Sequence, residues 1–292
     1  MNLGIGILKY HNSHSPKFIF SHRGALGDFL LTWPTLFILK KHFFKHKFIG
    51  LGKTDYLDLA HLFGLVDDIY NCELKSLMDL YAGNKIPTFL QPADIMLFWA
   101  LPNSSLTQLC QRENCKKVYF HPPFPTEPGI HVIDHHLSVL DQFSITSQSN
   151  IIPYFYLKQK FTGRILIHPG SGGCQKNFTP EFYRVIADSV FNGKGTISFI
   201  LGPNEVTLRQ YYQDKYEIIE PNSIVSLARF ISGASLFLGN DSGVTHLAAF
   251  LGVRTLGLYK SSSPVIWGIR GIKTQIIEAG TEEEAIKKLK LV

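Results

Sequence analysis

Three stretches of this sequence combine residue types that can hold a phosphate or move a proton. The first is His22-Arg23-Gly24-Ala25-Leu26-Gly27-Asp28. Its glycines let backbone approach a ligand closely, and Asp28 could take a proton from a bound hydroxyl as a general base. Aspartate is also a good helix N-cap, so both roles stay open. Arg23, Gly24 and Gly27 complete this loop, which matches neither G-x-G-x-x-G nor a Walker A pattern, so it is not expected to bind pyrophosphate. The second stretch is His168-Pro169-Gly170-Ser171-Gly172-Gly173, with Lys176 three residues beyond. Small residues and hydroxyls in such a turn expose N–H donors that suit phosphate oxygens, and a lysine there could neutralise charge on a leaving group. A flexible turn with a solvated lysine would look the same. The third is Gly239-Asn240-Asp241-Ser242-Gly243-Val244-Thr245-His246. Asp241 or Ser242 would cap the apolar helix that follows, leaving its free N–H groups and positive dipole end for a diphosphate. His246, one turn in, could donate to the same phosphate or simply pack. Glu205, in Gly202-Pro203-Asn204-Glu205, could accept from ribose hydroxyls or stabilise its own first turn.

Each stretch follows a β-rich run and opens a helical one. Strands are expected over 17–21, 47–51, 68–72, 94–100 and 117–121, with amphipathic helices between them and a further helix over 131–143. A polar and aromatic connection, 144–163, leads to a second series: strands over 164–168, 196–201, 235–239, 255–258 and 274–278. Helices are expected over 180–191, 205–214, 224–231, 242–251 and 282–290, and Pro34 marks a second helix start after the first. This alternation predicts an α/β chain of two successive doubly wound domains, residues 1–150 and 151–292, with the ligand between them.

Composition narrows the function. The chain has 292 residues, 45% hydrophobic and 18% charged, which excludes disorder. Residues 1–150 carry 13 Lys+Arg against 12 Asp+Glu, and residues 151–292 carry 16 against 11, so the excess positive charge lies in the second half. A formal net charge of +6 is too small and too dispersed for a nucleic-acid binder, and points to a diphosphate held mainly by the second domain. The longest apolar run, 29–39, is broken by Thr32, Pro34 and Thr35, and the Leu3–Leu8 stretch lacks the flanks of a signal peptide, so a cytoplasmic protein is expected. Four cysteines without a C-x-x-C pair read as reduced thiols. Twelve histidines include no H-E-x-x-H, and His135-His136 only interrupts a helical pattern, so no structural metal is expected.

The three stretches together resemble glycosyltransferase family 9, the ADP-heptose:lipopolysaccharide heptosyltransferase family. The likeness rests on G-A-L-G-D-F-L-L-T-W-P-T-L at 24–36, H-P-G-S-G-G-x-x-K-N-F at 168–178, and G-N-D-S-G-V-T-H-L-A-A-F-L-G-V-R-T-L-G-L-Y at 239–259. Residues 131–145 also resemble the family's interdomain helix. The resemblance implies a GT-B fold, two Rossmann-like domains facing each other across a cleft, with acceptor in the first and nucleotide sugar in the second. It implies inverting, metal-independent transfer of heptose from ADP-heptose onto a lipopolysaccharide-core or other surface glycan. Asp28 then matches the catalytic base and Lys176 the residue assisting the diphosphate. Ser171, Asp241, Ser242, Gly243 and His246 match donor-site positions, and Gly172 and Glu205 join them by position. The expected partners are a nucleotide sugar, which is a co-substrate rather than a cofactor, and a glycan or lipid-linked glycan acceptor.

One departure stands out: Lys260-Ser261-Ser262-Ser263-Pro264 replaces the family's usual G-P-T-D-P, exchanging an acid for a lysine near the sugar end. The alternatives are a family member with another donor and acceptor, a nucleotide-sugar-modifying enzyme such as an epimerase, or a non-catalytic sugar-nucleotide binder. A lipid-linked acceptor would need contact with the inner-membrane surface. The stretch 39–47 mixes cations with aromatics as an interfacial patch does, although a helix C-terminus with core phenylalanines explains it with fewer assumptions.

Overall fold

The strands of this chain are near-continuous apolar runs, as expected where both faces of a parallel sheet are covered by helices. In the computed structural model, which describes residues 15–146 and 152–291, β1 (Lys17–His22) is buried along its whole length. Its side chains alternate between layers. Phe18 and Phe20 enter one core with Trp33 and Leu97, while Ile19 enters another with Met96 and Phe98.

The first half contains β1, α1 (Leu26–Leu31), α2 (Trp33–His42), β2 (Lys47–Gly52), α3 (Thr54–Leu62), β3 (Asp68–Asn71), α4 (Lys75–Tyr81), β4 (Ile95–Trp99), α5 (Ser104–Arg112), β5 (Lys117–His121) and α6 (Val132–Leu137). The second contains β6 (Ile165–His168), α7 (Pro180–Val185), β7 (Ile197–Ile200), β8 (Glu217–Ile219), α8 (Ile224–Ser232), β9 (Leu236–Asn240), α9 (Gly243–Phe250), β10 (Thr255–Tyr259), α10 (Pro264–Trp267), β11 (Thr274–Glu278) and α11 (Glu282–Leu289). The strands form two all-parallel sheets, ordered β3-β2-β1-β4-β5 and β11-β10-β9-β6-β7-β8. The architecture is α/β with two Rossmann-like doubly wound sheets, of GT-B type.

The order of each sheet reverses beside its first strand, between β1 and β4 and between β6 and β9. Ligands of open α/β sheets bind at the carboxyl ends of strands flanking such a switch point. The three chemistry-bearing stretches follow β1, β6 and β9, so the topology delivers all of them there.

The halves share a core. Trp33 packs 4.8 Å from Phe155 and 6.4 Å from Phe250, ring centre to ring centre, which joins α2 to the chain entering the second half and to α9. The starts of α1 and α9 touch through glycine: a Cβ on Gly243 would lie 2.7 Å from the backbone nitrogen of Gly27. Across the same boundary, a His131 ring nitrogen lies 2.8 Å from the Gly268 carbonyl, and both carboxylate oxygens of Asp134 accept from Arg270.

Several elements differ from expectation. The helix over 131–143 keeps α geometry only to Leu137 and continues as 3₁₀ turns over Ser138–Phe143. The helix over 205–214 is a 3₁₀ run, Pro203–Tyr211, and α7 widens into π-type turns at Ile186–Val190. Three-residue β8 carried no visible signal because it is too short to show a period. The stretch 39–47 divides: Phe43 packs on Phe18 and His46, whereas Phe44 is 73% exposed. All four cysteines are free. The Leu3–Leu8 stretch lies outside the described residues, among which no helix is long and apolar enough to cross a membrane.

Candidate active site

Asp28 stands at the third position of α1, where one carboxylate oxygen accepts from the Ala25 N–H at 3.2 Å. The capping role and a chemical role are therefore compatible, since the same half-buried carboxylate also lines a cavity. That cavity, of about 270 Å³, is walled by Gly27, Asp28 and Leu31 from the first half and by Gly172, Lys176, Asp241, Ser242 and His246 from the second. Phe124 and Trp267 close it, their ring centres 5.9 Å apart. Aromatic rings offer flat apolar faces beside polar groups, an arrangement suited to a sugar ring.

The second half supplies the positive side. Lys176 Nζ lies 2.6 Å from Asp241 Oδ2, and the His246 Nε2 lies 3.8 Å from the other carboxylate oxygen. Asp241 has only 5% of its side chain exposed. Burial by itself would raise its carboxyl, but the His246 imidazole and the Lys176 ammonium outweigh that and hold it at about 2. Asp241 is thus an anion at neutral pH, anchoring Lys176 to the cavity wall. Ser242, rather than Asp241, is the N-cap of α9, with Oγ accepting from the Thr245 N–H. Ser242 and His246, which bracket the first turn of α9, both line the cavity.

A lock of buried polar groups fixes these turns. Tyr183 Oη donates to Asn240 Oδ1 at 2.6 Å, while Asn240 Nδ2 donates to the Pro169 carbonyl at 2.8 Å and to Asn177 Oδ1 at 3.0 Å. Thr245 Oγ1 donates to the Asn240 carbonyl at 2.6 Å. Asn240 therefore ties the turn after β6 to the turn after β9. Ser171 Oγ lies 2.6 Å from Asn177 Oδ1 and 2.8 Å from the Gly173 carbonyl, so its single hydrogen is used inside the loop.

A larger cavity, of about 460 Å³, shares Gly172 and Ser242 with the first and continues past Ser171, His168, Glu205, Asn222 and Leu227. Glu205 accepts from the Gly202 N–H at 2.9 Å and presses on Gly170, where a Cβ would lie 2.1 Å from its Oε1. It caps its own turn and lines this cavity at once. Gly172 and Ser242 thus join a small polar chamber holding Asp28 and Lys176 to a longer, more apolar one.

Arg23 turns away from both chambers onto the ring of Tyr81, 4.8 Å from its centre, and lines a separate pocket of about 140 Å³ with Trp99 and Asn103. At Gly24 an added Cβ would lie 2.9 Å from the His22 ring and 3.1 Å from the Asp28 carboxylate, and Gly27 and Gly243 serve the contact between α1 and α9. Lys260, in the departing segment, does not enter the small chamber. Its ammonium donates to the Asn177 carbonyl at 3.0 Å and lies over Phe178, so it braces the loop that carries Lys176. Reasoning from sequence missed Phe124, Trp267, Asn177 and Tyr183; the G-N-D-S-G stretch offered one available signal, since an asparagine directly after a buried strand is a candidate lock.

A family model described as glycosyltransferase family 9 (heptosyltransferase) matches residues 141–291, more than half of the chain. The chain belongs to glycosyltransferase family 9. It is accordingly a glycosyltransferase, of heptosyltransferase type. No curated protein sequence matches it significantly. Solved structures do match in fold. The glycosyl transferase family 9 protein from Veillonella parvula superimposes with a TM-score of 0.74 at 16% identity, over 95% of this chain and 90% of that one. Escherichia coli heptosyltransferase WaaC with ADP gives 0.74 at 14% identity, over 94% and 98%. Escherichia coli ADP-heptose lps heptosyltransferase II gives 0.73 at 12% identity, over the same shares. Identities this low carry the fold, while the family rests on the sequence match.

Proposed function

We propose that this family 9 enzyme transfers heptose from ADP-heptose to a hydroxyl of a lipopolysaccharide-core or other surface glycan, by a single displacement with inversion. The observation that carries this reading is the pair of facing walls in the small chamber: Asp28 on one, Lys176 with His246 and the start of α9 on the other. The acceptor hydroxyl gives its proton to Asp28 as its oxygen bonds to the anomeric carbon. The bond from that carbon to the diphosphate oxygen breaks on the opposite face. Lys176 and the N–H groups of α9 take up the charge that develops on the leaving diphosphate, and preorganised donors of this kind need no reorganisation during the reaction. Asp241 is a positioning residue that keeps the lysine in place. The longer chamber, past Glu205, takes the nucleoside. This half would then be the donor domain, residues 151–292, with residues 1–150 binding the acceptor.

The donor assignment draws on relatives. WaaC was solved with ADP and with ADP-2-deoxy-2-fluoro heptose, and the dodecameric heptosyltransferase TibC in complex with ADP-D-beta-D-heptose. Because Lys176 and α9 serve the diphosphate, added Mg²⁺ should leave the transfer rate unchanged. A lipid-linked acceptor would bring the enzyme to the cytoplasmic face of the inner membrane, with exposed Phe44 and the neighbouring lysines as the contact.

Two measurements test the proposal. In thermal shift against ADP-, GDP-, UDP- and dTDP-sugars, ADP-heptose should give the largest stabilisation; a larger shift with another nucleotide would overturn the donor. Asp28→Asn should lower kcat by about 10²- to 10⁴-fold, the range of general-base catalysis, with donor affinity unchanged. A near-normal kcat would remove Asp28 from the role.

A further inference from the structure

Three histidines, one on β5 and an adjacent pair on α6, converge where these two elements meet. His121 ends β5, and His135 and His136 lie on α6. One ring nitrogen from each lies within 4.8 Å of the others, and the ring centres are 4.3, 5.3 and 5.7 Å apart. His121 and His136 are buried, His136 to within 1% of its surface. Neither ring nitrogen of His136 has a hydrogen-bond partner, and neither has His121 Nε2. An unpartnered buried polar group costs about 1–3 kcal/mol, so three such nitrogens, two on the His136 ring and one on the neighbouring His121 ring, need an explanation. A neutral imidazole presents one ring nitrogen as a lone-pair donor.

We propose that His121, His135 and His136 form a site for one borderline-soft divalent cation of the Zn²⁺ class. Bonds of about 2.1 Å at tetrahedral angles place ligand nitrogens about 3.4 Å apart, so nitrogens now within 4.8 Å of one another would draw together on binding. His135 is already oriented for the role. Its Nε2 lies 2.8 Å from the Pro122 carbonyl, so an N–H there donates outward and leaves the Nδ1 lone pair free. Metal-bound imidazoles are held by this kind of outward hydrogen bond to a carbonyl. Three neutral nitrogens without a carboxylate suit Zn²⁺, Co²⁺ or Ni²⁺ and reject Mg²⁺ and Ca²⁺, which prefer oxygen.

The site is distinct from the transfer chamber, whose walls include none of the three histidines. The ion would tie β5 to α6, the helix whose start reaches the second half through His131 and Asp134. It would also back the Trp99 ring, which lies 6.4 Å from His136 and 6.3 Å from His22 at the end of β1. Its role is to hold the acceptor wall, and no step of transfer passes through it.

The test uses the full chain, freed of metal with a chelator and titrated with Zn²⁺ in competition with a chromophoric chelator. A parallel titration with Co²⁺ is read by visible absorption. One equivalent should bind, with a tetrahedral Co²⁺ spectrum and a raised Tm, and Mg²⁺ should not compete. His135→Gln, at a half-buried position, should keep the fold by circular dichroism and weaken binding more than about 100-fold, beyond the effect of losing an outer-shell partner. His121→Gln should do the same, and His61→Gln, whose ring is bonded to the Val66 carbonyl elsewhere, should bind as the wild type does. Absence of a stoichiometric equivalent overturns the proposal. So does an equivalent that survives in folded His135→Gln, because surface histidines would then be its source.

Discussion

Replacing Asp241 by Asn tests the electrostatics of the chamber wall that carries Lys176. The carboxyl is held at about 2 against an ordinary value of 3.8. A group whose folded pKa is depressed adds stability above its unfolded pKa and loses it as pH falls through its folded pKa. At about 1.4 kcal/mol per unit, the shift amounts to roughly 2 kcal/mol at pH 6. About half should persist at pH 3, and about a sixth at pH 2. The side chain is 5% exposed, so solvent screening takes little from this figure. The assay is urea unfolding of wild type and Asp241→Asn from pH 6 to pH 2.5, compared as a difference at each pH so that the other carboxylates cancel. The difference should shrink by about 1 kcal/mol between pH 6 and pH 3. Lys176→Met should flatten the pH dependence in part, because the His246 contribution survives. A difference that stays constant across the range would refute the reasoning, since it would mean that Asp241 stabilises by packing and not by charge. The same variant frees Lys176 from its anchor and should raise KM for the donor.

Three further outcomes follow from the geometry. Asn240→Ala takes the acceptor from Tyr183 Oη and a donor from the Pro169 carbonyl, and should destabilise by about 2–5 kcal/mol in urea unfolding. Gly243→Ala puts a methyl 2.7 Å from the Gly27 nitrogen; the helices must separate, lowering stability by about 1–3 kcal/mol and transfer with it, and unchanged activity would show that the contact is dispensable. Trp267→Ala removes the ring beside Phe124 and should raise KM for one substrate roughly 2- to 10-fold, equal to about 0.5–1.5 kcal/mol, with kcat and Tm nearly constant.

The motifs were legible in the sequence because strand-to-turn-to-helix chemistry is local. Glycines, capping residues and apolar runs within about ten residues show where a strand ends and where free N–H groups begin. Pro34 behaved in this way too, opening α2 near its first position. The regions that misled are those where local signals are weak or compete: a three-residue strand at β8, and helices that change winding at Ile186 and Ser138 under packing. The Lys260 segment shows a different failure. Its departure from the family pattern is plain in sequence, but the direction of the side chain is set by the Asn177 carbonyl and the Phe178 ring, more than 80 residues away.

The division between sequence and structure has a physical origin. Hydrophobic period and turn chemistry act over a few residues, and by themselves they determined an α/β chain with two anion-ready turns and a third turn that carries Asp28. Which groups meet is a matter of long-range packing. The Lys176–Asp241 pair, the Asn240 lock, the Phe124–Trp267 wall and the triad of His121, His135 and His136 all join residues brought together only when each sheet and its helices close. Only the tertiary structure decided that Asp28 faces Lys176 across one chamber and that Arg23 does not, because those directions depend on how α1 seats against α9.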